Sequence, residues 1–268
     1  MAVTNFIQTI WSKHILDDLE LECKLVHNCL RQYEGDVKYA RSVKILGVGK
    51  PTIRKYDGTA ITVEPMSDKG QQLDIDQQNY FAFHVDDVDQ AQSVPGLAEE
   101  YRRLSVEGLA IERDTYIANL IKSATNQTTA EALSQDAVKA AIDMGIVKLR
   151  ERNFREKGVI EITPAVYNVF KNCLITLSTD NPDYIKKGIV GTYDGFEVIM
   201  SNNMAKDDTH AYCDIRGKKA IAFAAQINDV EAMRDQTVFK DLVRGLDTFG
   251  AKVIDNNRIE VIKVPLGA

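Results

Sequence analysis

A stretch of regular hydrophobic spacing between residues 80 and 124 constrains the fold of this chain most. It opens on a strand-like segment with Tyr80, Phe81 and Phe83. Apolar and small residues then recur three and four positions apart, the period of one helical face, at Leu97, Tyr101, Leu104, Gly108, Ile111, Thr115 and Ala118. A second row follows another side of the same helix, at Val106, Leu109, Tyr116 and Leu120. A helix from residue 97 to residue 124 reaches about 40 Å at about 1.5 Å per residue, so we predict a long spine helix that other parts of the protein cover on two sides.

The overall composition narrows the possible partners. With 268 residues, 44% of them hydrophobic and 27% charged, the chain has the makeup of a folded, soluble protein. Its net charge of −6 gives no indication of the basic surface that binds nucleic acid. No apolar run approaches the roughly 18 residues that a membrane span requires, so we expect no membrane partner.

The start of the chain and its cysteines bear on where the protein is made. The N-terminal residues lack the charged-then-apolar pattern of a signal peptide. We therefore expect reduced thiols in a cytoplasmic product, at Cys23, Cys29, Cys173 and Cys213.

The N-terminal segment is predicted to be an amphipathic helix. Its apolar residues fall at steps of three, four and seven on one helical face, at Ile7, Ile10, Trp11, Ile15, Leu19, Val26 and Leu30. The only tryptophan, Trp11, is suited to anchor this helix on a neighbouring element or subunit. A helix packed on its own domain fits the same pattern, and both interpretations stay open.

Residues 33–85 are predicted to form a protruding flap. Strand-like alternation at Val43 and Ile45 is broken by Gly47, Gly49 and Pro51, which are typical of a tight bend. Residues 57–70 are polar, and residues 72–85 resume a strand. Because a projecting flap cannot bury its own faces, we expect it to find a partner surface on another copy of the chain.

The remainder of the chain mixes helices and strands without a regular βαβ order, which indicates an α+β fold. Ser134 is predicted to cap a helix over residues 134–153, whose predicted apolar face is Ala137, Ala140, Ala141, Met144, Val147 and Leu149. Further elements are predicted as strands at 158–162, 211–215 and 220–225, a hairpin at 188–204, a short helix from Pro164 and a helix at 238–246. Residues 250–264 are predicted to form a C-terminal hairpin with its bend at Asp255, Asn256 and Asn257.

Glycines and acids supply two candidate ligand motifs, and neither is specific. The loop at Gly47 and Gly49 lacks the third glycine of a dinucleotide loop and the Gly-Lys-Ser/Thr of a phosphate loop, so it is interpreted as a turn. The acids Asp86, Asp87 and Asp89 could hold a divalent cation. Acids just before a long helix also cap its free N–H groups, and capping is the favoured interpretation.

The sequence points to no catalytic or metal centre. Cys23 and His27 share a helical face, but Cys29 lies on a different side, which disfavours a zinc site. No Gly-x-Ser-x-Gly nucleophile motif is present. We therefore predict no catalytic residue, no cofactor and no metal.

Five segments, taken in chain order, carry a resemblance to one protein family. They are FIQTIWSKHIL, YEGDVK, LDIDQQNYFAFHVDDVDQAQ, LAIERDTYIANLI and AIAFAAQINDVEAMRDQTVFKDLVRGLDTFGAKV. In this order they resemble the major capsid proteins of tailed bacteriophages, whose shell fold is named after phage Hong Kong 97. The resemblance covers most of the chain.

The resemblance implies a division of the chain into four parts. Residues 1–41 would form an N-terminal arm and residues 42–79 an extended loop, the E-loop. Residues 80–153 with 249–268 would form a peripheral domain that holds the spine helix, and residues 154–248 an axial domain. In such shells the E-loop lies over a neighbouring subunit and the arm reaches across another.

The resemblance also implies a structural function without catalysis. Copies would assemble as pentamers and hexamers into an icosahedral phage head around double-stranded DNA, without sequence-specific contact to it. The protein would be made and assembled in the cytoplasm of the bacterial host and end in the virion capsid, with scaffolding, portal or decoration proteins as further partners. The residues expected at contacts between subunits are Trp11, Ile15, Lys55, Tyr56, Asp57, Thr62, Glu64 and Lys69.

Two other functions fit the sequence less well. An encapsulin-type nanocompartment shell has the same fold but encloses enzyme cargo. A soluble α+β enzyme would need a reactive site, such as the acid pair Asp86 and Asp89, and no group of residues points to a substrate.

Overall fold

The computed structural model describes residues 19, 22–33, 41–45, 53, 55, 70–86, 97–173, 189–234 and 240–266. Its helices are α1 (Leu97–Lys122), α2 (Gln135–Glu151) and α3 (Pro164–Phe170). Its strands are β1 (Ser42–Ile45), β2 (Gln71–Asp74), β3 (Gln77–Asp86), β4 (Gln127–Thr129), β5 (Gly158–Ile162), β6 (Ile189–Tyr193), β7 (Phe196–Met200), β8 (His210–Gly217), β9 (Ile221–Arg234), β10 (Lys240–Val253) and β11 (Ile259–Pro265).

The long helix α1 confirms the predicted spine, and one of its two predicted apolar sides is buried more fully than the other. The buried side carries Val106, Leu109, Ala110, Ile117 and Ile121. The other row is covered in part: Tyr101 stacks on Phe83 of β3, with the ring centroids 5.6 Å apart, while Leu104 and Ile111 are 49% and 43% exposed. The prediction of cover on two sides is therefore confirmed for one side and only in part for the other.

Strand β10 runs through the middle of a three-stranded sheet that α1 covers. It lies antiparallel to both β3 and β9. Phe249 on β10 meets Tyr116 of α1 edge to face, with the ring centroids 5.5 Å apart. The predicted helix at 238–246 is wrong over its described residues, because two partner strands satisfy the backbone of β10 on both sides and override local helical spacing.

The second sheet has six strands in the order β4-β11-β8-β5-β7-β6. Helices α2 and α3 pack on one face of it, over a core that includes Ile142, Ile146, Ile160, Phe170 and Ile215. Strand β11 pairs with β8 and β4, whereas β10 belongs to the three-stranded sheet. The predicted C-terminal hairpin is therefore wrong: the 3-10 turn Asn256–Arg258 passes the chain from one sheet to the other.

The start of α2 was predicted correctly and its buried face only in part. Ser134 caps the helix, and its Oγ accepts from the backbone N–H of Ala137 at 3.4 Å. The buried residues are Val138, Ala141, Ile142, Gly145, Ile146 and Leu149. Met144 and Val147, which were predicted to face the core, are exposed, because the helix is rotated to place Gly145 against Ile215 and Ile262.

Two antiparallel strand pairs, β6–β7 and β1–β2, lie where hairpins were predicted from turn residues. Strands β6 and β7 form an antiparallel pair around Asp194 and Gly195, both with positive φ, which confirms the hairpin there. Strands β1 and β2 also pair antiparallel, in the register Ser42 to Asp74 and Ile45 to Gln71. Residues 46–70 therefore leave and return through one two-stranded base.

The predicted four-part division of the chain stays a prediction. Helix α2 and strand β11 share their apolar core with β5 and β8, and β9 and β10 share theirs with α1. Within the described residues, no helix combines the length and the apolar character needed to cross a membrane.

Candidate assembly site at the roots of two chain extensions

Two parts of the chain enter the body close to one another: the segment that follows residue 18 and the base of the β1–β2 hairpin. Leu19 and Glu22 are helical, and the chain leaves the helix at Cys23 before the 3-10 turn Val26–Asn28. The helix predicted to continue to Leu30 is therefore wrong at its C-terminal end. We call residues 19–33 the arm root, since they are where the N-terminal segment joins the body.

The carboxylate of Asp114, on α1, holds the arm root at its turn. It is fully buried and accepts the backbone N–H groups of Lys24 and Leu25 at 3.0 Å and that of Val26 at 3.3 Å. Asn203 Nδ2 donates at 3.4 Å to Asp114 Oδ2, the oxygen that also accepts from Lys24. These N–H groups have no helical partner at the start of a turn, which explains why the helix ends here.

The guanidinium of Arg216, on β8, holds the same turn from the sheet side. It is fully buried and donates to the backbone oxygens of Leu25 and Asn28, each at 3.0 Å. Its Nη2 donates to both oxygens of Glu161, at 2.8 and 2.9 Å. Asn28 Nδ2 donates to Glu161 Oε1 at 2.9 Å, so the arm root and the sheet share one polar layer.

This polar layer holds two carboxylates and one guanidinium. Asp214 lies opposite Glu161 in the β5–β8 pair, and its Oδ2 is 3.0 Å from Arg216 Nε. No hydrogen bond of good geometry from a described residue reaches either Asp214 side-chain oxygen. Burial and the neighbouring carboxylate of Glu161 raise the pKa of Asp214 well above its usual range.

The arm root also adds a bridge to the free edge of β9. Leu30 forms a parallel bridge with Ala222. The Leu30 N–H donates to Ile221 O at 2.9 Å, and the Phe223 N–H donates to Leu30 O at 3.0 Å. The beginning of β9 is thus bonded to β10 on one edge and to the arm root on the other.

The base of the β1–β2 hairpin packs on the beginning of β9, on the face of the strand that points away from α1. Val43, Ile45, Leu73 and Ile75 form one apolar cluster with Ala222 and Ala224. Lys252 Nζ donates to Gln72 O at 2.9 Å, and Gln71 Nε2 donates to Ile254 O at 3.1 Å. The small side chains of β9 let the hairpin base approach closely, so its position is fixed by packing and by hydrogen bonds.

Comparison with known proteins identifies the architecture. No family model matches the chain, and no curated protein matches it. A solved chain from Mycobacterium phage Che8 is 27% identical, with a TM-score of 0.71 over 89% of this chain and 90% of that one. The capsid of cyanophage P-SCSP1u gives a TM-score of 0.63 at 13% identity, over 89% and 85% of the two chains. This chain has the Hong Kong 97-type capsid fold.

A third solved structure, a virus-like particle from Pyrococcus furiosus, shares the fold. The chain of the virus-like particle from Pyrococcus furiosus is 13% identical to this one, with a TM-score of 0.58. The match covers 97% of this chain and 100% of the other. The resemblance to the major capsid proteins of tailed phages is thus confirmed at the level of the fold, from a sequence that matches no family model.

Most of the contact residues predicted for this capsid fold lie outside the described residues. These are Trp11, Ile15, Tyr56, Asp57, Thr62, Glu64 and Lys69. Lys55 is described and exposed, as is Ile53, which is 96% exposed. The structure brings none of the described ones together with another predicted contact residue, so the set stays a prediction.

The cysteines and acids that were considered as metal ligands are described only in part. Cys23 and Cys29 are buried in the arm root, and burial raises the pKa of their thiols to about 12 and about 11. Asp86 is the last residue of β3, while Asp87 and Asp89 lie outside the described residues. Among residues that the structure describes, no group of three or more His, Cys, Asp or Glu side chains is placed to hold a metal ion.

The residues that fix the arm root were not predicted from the sequence. Asp114 and Arg113 stand next to one another on the buried side of α1, and Arg113 pairs with the buried Asp247 of β10 at 2.5 Å. Charged residues inside an otherwise apolar helical row are a signal that such partners exist. Glu161 gives the same signal, since it stands alone in the apolar strand Gly158–Ile162, whereas Arg216 lies in β8, where polar and apolar residues are mixed.

Truncating Asp114 should loosen the arm root. The variant Asp114→Ala leaves three buried N–H groups without their acceptor, so we expect the free energy of unfolding to fall by about 2 to 4 kcal/mol. Hydrogen exchange at the amides of Lys24, Leu25 and Val26 should accelerate. The control is Glu112→Ala on the exposed side of the same helix. Equal exchange rates in the two variants would show that Asp114 does not hold the turn.

The charge of Asp114 should also make stability depend on pH. Burial raises the pKa of Asp114 to about 6 from its ordinary 3.8, although the three N–H bonds lower it. The folded protein then keeps a proton that the unfolded chain has lost, so the stabilisation is fully present below the ordinary pKa and is lost as pH rises through about 6. The buried Asp214 acts in the same direction, while the Cys23 thiol stays protonated. Urea unfolding between about pH 4.5 and 7.5 should show a smaller decline in stability with rising pH for Asp114→Asn than for the wild type.

Gly250 tests how closely the hairpin base approaches the sheet. A Cβ at this position would lie 2.1 Å from the backbone oxygen of Asp74, so the variant Gly250→Ala must displace the hairpin base. We expect a loss of about 1 to 3 kcal/mol in unfolding free energy. In the control Gly108→Ala, the new Cβ meets nothing within 4 Å and helix propensity gains up to about 1 kcal/mol. Equal stability of the two variants would contradict the close packing.

Proposed function

We propose that this chain is the major capsid protein of a tailed bacteriophage and forms the wall of the phage head. The observation that carries the proposal is the likeness to the chain from Mycobacterium phage Che8, which holds over about nine tenths of both chains at 27% identity. The proposed role is structural, with no catalysis by this chain.

The anchored roots give this proposal a mechanism. The arm root and the hairpin base are fixed to the body by buried polar and apolar contacts, while residues 1–18 and 46–69 extend from them in sequence. We propose that these segments act as the N-terminal arm and the E-loop and contact neighbouring copies in pentamers and hexamers. Many weak, repeated contacts then add up to a closed shell while each step stays reversible.

We further propose that the contents of the shell are double-stranded DNA, held without sequence-specific contacts. The net charge of −6 supports containment by the closed wall over binding by bulk charge. Assembly would take place in the cytoplasm of the bacterial host, with scaffolding, portal or decoration proteins as additional partners, and the finished location would be the virion.

The experiment that tests the proposal is expression of the full chain followed by size-exclusion chromatography and electron microscopy. Capsomers in the column, or closed icosahedral particles in the micrographs, are the expected result. A strictly monomeric, compact protein at high concentration would contradict the proposal.

A nanocompartment shell is the alternative function, and the full-length match to the chain of the virus-like particle from Pyrococcus furiosus supports a closed particle of either kind. Its TM-score and identity are both lower than those of the match to the phage Che8 chain. The contents separate the two functions: nuclease-protected DNA in particles purified from infected cells indicates a phage head, and a co-purifying enzyme without DNA indicates a nanocompartment.

A further inference from the structure

The polar layer beneath the arm root contains a buried carboxyl group that lacks a suitable donor. Asp214 is fully buried on β8, and no described residue donates a well-formed hydrogen bond to either of its side-chain oxygens. Arg216 Nε lies 3.0 Å from Asp214 Oδ2, but its hydrogen bond goes to Glu161 Oε2, at 3.2 Å. A buried polar group without a partner is costly, so this one requires an explanation.

The charges of the polar layer do not balance while both carboxyl groups are ionised. Glu161 and Asp214 lie opposite each other in the β5–β8 ladder, and one guanidinium, that of Arg216, serves both. Glu161 accepts from Arg216 at 2.8 Å and from Asn28 at 2.9 Å, so its ionised form is well supported. A second buried negative charge without a donor or counter-charge of its own takes up a proton.

We propose that Asp214 is protonated at neutral pH, that its O–H donates to Glu161, and that the seating of the arm root depends on this proton. Two facing carboxylates are both acceptors, whereas a protonated carboxyl group is also a donor and supplies the hydrogen bond that the pair lacks. The layer is then neutral, with one carboxylate and one guanidinium. This inference concerns the single chain and does not rest on the proposed function.

The arm root covers the polar layer, which couples the proton to the arm. Arg216 donates to the backbone oxygens of Leu25 and Asn28, and Asn28 donates to Glu161. Lifting the arm root lets water reach the layer, so Asp214 returns to its ordinary pKa and loses its proton. The proton therefore stabilises the closed form fully below that ordinary pKa, and the stabilisation is lost as pH rises through the raised pKa of the closed form.

Other titratable groups around the arm root have to be separated from Asp214. Asp114 of α1 holds the other side of the turn, and burial raises its pKa to about 6. Burial also raises the pKa of the Cys29 and Cys213 thiols, to about 11 and about 12, so both stay protonated at neutral pH. On β11, the residue opposite Asp214 is the uncharged Val261. A variant that changes Asp214 alone isolates its contribution.

Hydrogen exchange on the full chain tests the coupling. The readout is the protection of the Asn28 and Leu30 amides, which donate to Leu25 O and Ile221 O. In Asp214→Asn the side chain cannot ionise, and its N–H donates to Glu161 in place of the proton. From about pH 5 to about pH 9, the wild type should lose at least about tenfold more protection at these amides than Asp214→Asn. Asp208→Asn, which changes an exposed aspartate, should behave like the wild type.

The amide of Ile146, within α2, shows whether the opening is local. Its protection should exceed that of the arm-root amides at every pH, because lifting the arm root leaves the helix in place. Equal protection at all three amides would assign the pH dependence to global unfolding and overturn the role of the arm root.

Infrared spectroscopy detects the proton itself. A protonated carboxyl group has a carbonyl band that a carboxylate lacks, and the wild type minus Asp214→Asn difference spectrum should contain it at about pH 7. Glu161→Gln provides a second, independent variant. It leaves one carboxylate for one guanidinium, so Asp214 should ionise against Arg216, and both the band and the additional pH dependence should disappear.

Three results would overturn the inference. They are the absence of the carboxyl band from the wild type at about pH 7, equal pH dependence in the wild type and Asp214→Asn, and persistence of the band in Glu161→Gln. None of these measurements requires a shell. Their failure leaves the proposed function intact, and a chain that does not assemble leaves this inference intact.

Discussion

Replacing Arg216 with methionine should lower the free energy of unfolding by about 3 to 5 kcal/mol, because it leaves a buried carboxylate without its counter-charge. Arg216 and Glu161 are both fully buried, and the guanidinium also binds two backbone oxygens of the arm root. The variant thus removes the guanidinium bonds between the six-stranded sheet and the arm root and leaves only the bond from Asn28 to Glu161 in the polar layer. We expect the isolated subunit to be the least stable of the single variants considered, and shells to form poorly.

Urea unfolding measures the effect of Arg216→Met. The matched control is Arg103→Met, since Arg103 makes its ion pairs with 60% of its side chain exposed and should change stability by less than about 1 kcal/mol. The triple variant Glu161→Met, Asp214→Leu and Arg216→Met removes all three charges and should recover much of the stability. An Arg216→Met protein as stable as the control would show that the polar layer does not hold the sheet to the arm root.

Deleting residues 57–70 should abolish shell formation and leave the subunit folded. The base of the hairpin keeps its ladder from Ser42 to Ile45 and its packing on Ala222 and Ala224. Residues 46–56 remain to join Ile45 to Gln71 across neighbouring strands, which lie about 5 Å apart. The unfolding curve should therefore match that of the wild type, while particle yield falls by at least about tenfold.

Electron microscopy and size-exclusion chromatography read out the deletion. A companion variant replaces the same residues with a glycine and serine linker of equal length, which keeps the reach of the loop and removes its side chains. Failure of both variants would assign the contact to the side chains of the loop. Normal particles from the deletion would show that the hairpin is not the E-loop that assembly needs.

Features set by neighbouring residues were predictable from the sequence. The spine helix, the Ser134 cap and the helix starting at Pro164 all follow from spacing or from residue types a few positions apart. Features set by distant partners were not. The segment at 240–246 has spacing that suits a helix, yet β3 and β9 make it a strand, and β11 pairs with β8 and not with β10.

The candidate site depends even more on residues that are distant in the sequence, and it was not predictable for that reason. The arm root is bound by Asp114 and by Arg216, which lie about 90 and 190 positions further along the chain. No local sequence pattern predicts which charged side chain will bind which backbone group across such separations. The two extensions, by contrast, can be located from the sequence, because the N-terminal segment carries an apolar helical row and residues 57–70 form a polar stretch between two strand-like segments.

Residues 221–225 of β9 are a stretch on which both extensions meet. The arm pulls on its edge through Leu30, and the hairpin pulls on its face through Ala222 and Ala224. From there the load passes along the ladder to β10 and, through Asp247 and Arg113, into the long helix. In the proposed shell, pulls from two neighbouring copies would therefore meet on this stretch and be shared between the sheet and the long helix.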